Sequence, residues 1–225
     1  MALKDDGNVL DFMLILGNLK KNKRTGWILR GVPAPESVAD HMYRMAILAM
    51  LLDEKASLDQ SVPEGHPLDK NRCIKVALVH DMCEAVVGDI TPYCGVSVED
   101  KHCQEKAAMI DMCEKLQKNL ADEILELYEE YENQETLEAQ TVKDLDRFEM
   151  ILQAYEYEVE HRREDKPQYL EEFFESTKGK FKNPQVQGWV RRLYELRQVL
   201  HSPSSKSPPA VPAGSAGNSP TSSPT

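Results

Sequence analysis

The chain has 225 residues, which allows one large domain or one domain with an appendage. Its 27 basic against 38 acidic residues leave a formal net charge of −11, which repels polyphosphate backbones and argues against a nucleic-acid polymer as partner. Apolar residues make up 41% of the chain, enough for a real core and too many for wholesale disorder.

In chain order, Val9, Phe12, Met13, Leu16 and Leu19 recur at steps of three or four and predict a helix with a buried stripe. Gly26-Trp27 and then Gly31-Val32-Pro33-Ala34-Pro35 break that pattern and mark a loop. Ser37, with Asp40 three residues later, is a usable start for a long apolar helix. A polar connection over 57–70 leads to Ile74-Lys75-Val76-Ala77-Leu78-Val79, whose continuation through Met82 and Val86 favours helix over strand, ending at Gly88-Asp89-Ile90-Thr91-Pro92. Three more periodic segments follow near 99–118, 120–132 and 136–163, and a last one near 184–200 begins at the cap pair Asn183-Pro184. The stretch 122–138 carries eight carboxylates and no Lys or Arg, and reads as a solvated helix face. The expected class is all-α, a helical domain over 1–201. Residues 202–225, with eight Ser, six Pro and one charge, read as a disordered tail. Its four Ser-Pro pairs suit proline-directed phosphorylation, although any Ser/Pro-rich tail contains such pairs.

The longest apolar run, 45–52, is far short of the ~20 residues that span a bilayer. Residues 1–6 hold no signal-peptide core. Five cysteines, an odd number without a C-x-x-C pair, fit a reducing compartment. The expected location is intracellular and cytoplasmic, with no membrane partner.

Chemistry concentrates at His80-Asp81-Met82-Cys83-Glu84. His80 closes an apolar run, so its imidazole and the adjacent carboxylate enter partly buried surroundings, where an unpaired charge is costly and a cation would offset that cost. On a helix, Glu84 follows His80 by one turn on the same face. Asp89 sits where Gly88 and Pro92 bend the chain, able to fold back toward that face. His41 opens an apolar helix, and Asp146 lies four residues after Val142, on the packed side. Singly, each is more often a satisfied structural residue. Together, two imidazoles and two carboxylates suit a divalent transition metal.

The order His41, His80-Asp81, Asp146 resembles the H…HD…D pattern of the HD-domain metal-dependent phosphohydrolases, which are all-helical. With Arg24-Thr25-Gly26-Trp27, Glu36-Ser37-Val38-Ala39-Asp40-His41, His80-Asp81-x-x-Glu84 and Gly88-Asp89-Ile90-Thr91-Pro92, the likeness over about 8–200 narrows to the 5'-deoxynucleotidases. The resemblance implies that His41, His80, Asp81 and Asp146 hold a first divalent cation. It implies that Glu84 assists the attacking water and, with Asp89 and the Ile90 carbonyl, holds a second ion. Arg24 and Trp27 would contact the nucleotide, with Asp89 on a sugar hydroxyl, and the assembly would be a homodimer. Manganese, cobalt, magnesium and copper all suit mixed nitrogen and oxygen ligands. The implied reaction converts a deoxynucleoside 5'-monophosphate to deoxynucleoside and phosphate. Alternatives are a phosphodiesterase or triphosphohydrolase on the same scaffold, or a non-catalytic metal-binding interaction module.

The remaining candidates take structural readings. Trp189, Phe173, Phe174 and Phe181 are expected in the core or a dimer contact. Cys83 has no general base beside it. His66, His102, His161 and His201 sit among polar residues and are expected to be solvated. Lys20, Lys21, Lys23 and Arg24 form a basic cluster that either steers an anion or is simply solvated.

Overall fold

The computed structural model describes residues 6–53, 67–161 and 166–202. The expected tail disorder, His66 and most of the 57–70 connection lie outside these residues. Among them the chain forms α1 (Asp6–Leu16), α2 (Thr25–Leu29), α3 (Val38–Met50), α4 (Lys70–Val79), α5 (Glu84–Val87), α6 (Val98–Cys113), α7 (Lys118–Asn133), α8 (Leu137–Glu160), α9 (Glu171–Thr177) and α10 (Pro184–Leu200). There is no β-strand among the described residues, only an isolated bridge between Lys23 and Ser37. The all-α expectation holds.

Helices α3, α4 and α8 pack on one another as the centre of the fold, with α7 and α10 against its flanks. Their starts follow local chemistry. Ser37 and Asp40 form a reciprocal capping box before α3, and Thr136 caps α8. Asn183 accepts from the amides of Gln185 and Val186 at the start of α10. The core between them is Met45, Val76, Ala77, Leu145 and Ile151, all essentially inaccessible.

Four expectations need correction. The stripe on α1 is only half buried: Phe12 and, just beyond it, Leu19 face the core, whereas Val9 and Met13 are about half exposed, with none of the described residues covering that side. The expected loop at Gly26-Trp27 is the short helix α2. Its first turn is capped from far away, Asp89 accepting from the Thr25 amide (2.5 Å), which local sequence does not reveal. The helix expected through Met82 breaks at His80–Cys83 into tight turns, with Met82 N bonded to Val79 O and Glu84 N to Asp81 O. The break lets His80, Asp81 and Glu84 face one cavity, and the side-chain amides of Asn18 and Asn22 donate to the carbonyls of Ala85 and Glu84 just after it. The acidic stretch is not merely solvated: Glu123 pairs with Lys75, Glu126 and Glu130 with Arg72, and Glu129 with Lys106. These pairs sew α7 to α4 and α6.

Candidate metal centre

Each central helix brings a piece of one cluster. His41 lies in the first turn of α3, His80 closes α4 with Asp81 on the turn after it, and Asp146 sits in the middle of α8. Ligand-type atoms of His41, His80 and Asp146 all lie within 4.8 Å of one another. Asp81 Oδ2 is 3.1 Å from His80 Nε2 and 3.8 Å from His41 Nε2, and Asp146 Oδ1 is 3.5 Å from His41 Nε2. Helix packing thus gathers residues that are 105 positions apart at the extremes.

Both imidazoles are held by their outer nitrogen. His80 Nδ1 donates to the Ala77 carbonyl (3.0 Å), and His41 Nδ1 donates to the buried carboxylate of Glu149. Each bond leaves Nε2 as the inward atom, and neither Nε2 has an aligned hydrogen-bond partner although both rings are buried. Buried polar atoms are nearly always satisfied, so two inward ring nitrogens facing two carboxylates fit a divalent cation. Asp146 is itself oriented by the Tyr131 hydroxyl (2.8 Å) and Lys143 Nζ (3.0 Å).

The electrostatics follow from this crowding. Burial pushes the Asp81 carboxyl up, but His80, Arg24 and His41 outweigh it and hold it below the usual range. Burial acts likewise on Asp146, and Lys143 and His41 again outweigh it. For His41, burial and Arg24 push the imidazole down, yet Glu149 and Asp146 raise it to about 10. A cation bound at Nε2 would take that proton's place. Glu84 behaves oppositely. Burial, reinforced by the charges of Asp81 and Asp89, raises its carboxyl well above the ordinary value, and its Oε2 is buried without a partner.

The cluster opens into a cavity of about 250 Å³, lined among others by Arg24, Asp81, Glu84, Asp89, Ile90 and Asp146. Lys101 and Lys143 also line it. Arg24, three residues before Trp27, does reach the site: its guanidinium is 3.2 Å from Asp81 and 3.9 Å from Asp89. Beside this cavity lies a pocket of about 320 Å³ lined by Trp27, Tyr93, Phe173, Ser176 and others. Arg24, Asp89, Thr91, Pro92 and Met150 line both, so the two spaces share a wall. Trp27 is itself almost fully buried. Its indole N–H donates to Glu36 (2.9 Å) and its ring lies against Phe173, 4.4 Å between centroids. A side chain at Gly26 would come within 3.3 Å of the Phe173 ring, so the bare backbone there permits that contact.

All the sequence-predicted site residues therefore meet at one place, Trp27 only by shaping the pocket next to it. Sequence reasoning missed Glu149, Tyr131, Lys143, Lys101, Tyr93 and the pocket role of Phe173. Glu149 alone had a signal, being three residues after Asp146 on one helix face. Of the other histidines, His102 pairs with Glu132 and His201 with Glu158, so neither is simply solvated. Burial raises the Cys83 thiol, in keeping with an inert role.

Residues 16–189 match the HD domain family, and the chain belongs to it. It is 49% identical over 190 residues to 5'-deoxynucleotidase HDDC2 of Xenopus laevis, covering 84% of this chain and 88% of that one. It is also 49% identical over 192 residues to 5'-deoxynucleotidase HDDC2 of Dictyostelium discoideum, covering 85% and 99%. Among solved structures it resembles a conserved hypothetical protein from Pyrococcus furiosus, with a TM-score of 0.64 and 33% identity over 84% of this chain and 99% of that one.

Proposed function

We propose that this chain is a metal-dependent 5'-deoxynucleotidase, hydrolysing deoxynucleoside 5'-monophosphates to deoxynucleosides and phosphate. The observation that carries the reading is the pair of inward, unpartnered Nε2 atoms of His41 and His80 facing Asp81 and Asp146, one wall away from an apolar pocket of small-molecule size. The names of the relatives support the same activity.

His41, His80, Asp81 and Asp146 hold the first ion, and Glu84, Asp89 and the Ile90 carbonyl are the candidates for a second. Manganese, cobalt, magnesium and copper suit this donor set. Such an ion, when bound, acidifies water toward neutral pH and offsets the charge of the phosphoryl oxygens. Arg24, Lys101 and Lys143 add positive charge where the phosphate sits, so a dianion enters despite the acidic ligands. Glu84, with its raised carboxyl and free oxygen, takes a proton from the attacking water and returns one to the leaving 5'-oxygen. Trp27, Phe173 and Tyr93 enclose the nucleoside. Asp89 meets the sugar with the carboxylate edge left over from its bond to Thr25. An apolar wall gives a ribose 2'-hydroxyl no partner, which limits discrimination by burial alone to about 10²-fold.

The catalytic domain comprises 1–201 and residues 202–225 form an appended tail whose Ser-Pro pairs are candidate phosphorylation sites. The domain works as a homodimer, a reading supported by the exposed Val9, Leu10, Met13 and Leu14 on α1. No described helix is long and apolar enough to cross a membrane, and five unpaired cysteines favour a reducing, cytoplasmic setting. A panel of deoxy- and ribonucleoside monophosphates, assayed for phosphate release with added Mn²⁺, tests the activity. Release from the deoxy series is expected. No release from any member would sink the proposal and leave a binding module.

A further inference from the structure

His41 is gripped from behind by a buried carboxylate, Glu149, and a part-exposed relay beyond it that the reaction itself does not use. Glu149 is fully buried and accepts from His41 Nδ1 through one carboxylate oxygen. Its other oxygen accepts from Arg44 Nε (2.7 Å). Arg44 is in turn pinned by Gln153 (2.6 Å) and Glu156 (2.7 Å), one and two turns further along α8. Carboxylate–imidazole contacts of this kind fix which ring nitrogen carries the proton.

We infer that Glu149 is a positioning residue for the metal centre, holding His41 in the Nδ1–H form so that Nε2 is presented unprotonated to the cation, with Arg44 fixing the orientation of Glu149. The inference rests on His41 being a ligand, as proposed above. Its distinctive consequence concerns Glu149→Gln. Arg44 can only donate, so it claims the single amide oxygen, and the amide NH₂ is turned toward His41. An NH₂ there needs Nδ1 as acceptor, which moves the ring proton to Nε2 and blocks the metal-facing atom. The substitution keeps the volume and the number of hydrogen bonds, yet it reverses the imidazole. Removing the donor that dictates the orientation, with Arg44→Met in the same chain, frees the amide to rotate and return its oxygen to His41.

The test is calorimetric titration of the metal-stripped full chain with Mn²⁺. Glu149→Gln is expected to weaken binding about 10–100-fold, the usual worth of such a supporting contact, and the double variant Glu149→Gln/Arg44→Met is expected to recover toward the wild-type affinity. A contact that matters only for folding stability predicts instead that the double variant is worse than either single one. Equal affinity in wild type and Glu149→Gln, or no recovery in the double variant, overturns the inference while leaving the metal site standing. A wild-type chain that takes up no Mn²⁺ overturns the site and the inference together. If Glu149→Gln does not fold, the wild-type chain still decides the matter. Long-range ¹⁵N–¹H spectra of the Mg²⁺-loaded protein should show His41 protonated at Nδ1, and a proton at Nε2 overturns the assignment.

Discussion

Helix α8 carries two buried clusters of ionisable groups, and they differ in how completely they are satisfied. Near its C-terminal end, Glu158 accepts from Arg197 Nε and Nη2 (2.7 and 2.9 Å), from the His201 ring (2.9 Å) and from the Leu170 amide (3.3 Å). Arg197 also lies over the Phe174 ring, 3.6 Å from its centroid. Glu158 is thus closed off at both oxygens, with Glu171 Oε2 a further 2.7 Å from Arg197, tying α8 to α10 and to the start of α9. Three to four turns earlier, Asp146 faces two imidazoles whose Nε2 atoms have no partner, beside a Glu84 oxygen in the same state. Desolvated groups left unpaired are costly. Where a fold brings several together, as at Asp146, they are held for something that arrives later. Where both oxygens of a buried carboxylate are paired, as at Glu158, they hold the fold.

Substitutions should separate the two clusters cleanly. The largest effect is expected from Asp81→Ala, which removes a carboxylate from the shell. Turnover of dAMP should be lost and metal content after purification should fall with it; full activity in metal-depleted Asp81→Ala would end the metallohydrolase reading. Glu84→Ala should lower kcat by about 10²–10⁴-fold, the range for loss of a general acid or base, while the first metal stays bound. If metal titration of Glu84→Ala and of Asp89→Ala each shows one fewer ion per chain, Glu84 belongs to a second ion site. In the closed cluster, Glu158→Ala leaves Arg197 buried without its main partner and should cost about 3–5 kcal/mol of stability. Denaturant unfolding measures that loss, and activity per folded molecule should be unchanged. A smaller effect is expected from Phe173→Ala, which opens the pocket wall: KM for dAMP should rise with kcat little altered, the mark of lost uniform binding. Smallest of all, deleting residues 202–225 should move the thermal midpoint by less than about 2 °C, since that Ser/Pro-rich composition has no apolar periodicity with which to pack.

Much of this was legible in the chain itself, for identifiable reasons. Ser37 with Asp40 and Asn183 with Pro184 mark helix starts because a cap is a local interaction between near neighbours. The candidate cluster was legible because His41, His80-Asp81 and Asp146 follow the order of the HD pattern, with Glu84 three residues after Asp81. What stayed hidden depends on residues far apart. Thr25 starts a helix because Asp89 caps it from 64 positions away. The apolar period of α1 announces an amphipathic helix but not that Val9 and Met13 lie uncovered. The break after Val79 puts His80, Asp81 and Glu84 on one cavity, and nothing in the apolar period of that run marks it. For Glu149 the spacing from Asp146 marks a shared face but not the partner, His41, which only the packing of α3 on α8 supplies.

Phosphate release from dAMP by the chelator-stripped wild-type chain, measured before and after adding Mn²⁺, tests the central claim most directly. The open cluster predicts no turnover in the stripped protein and recovery on adding the ion, with the same folded fraction in both samples. Turnover at the full rate in protein verified to be metal-free would contradict it.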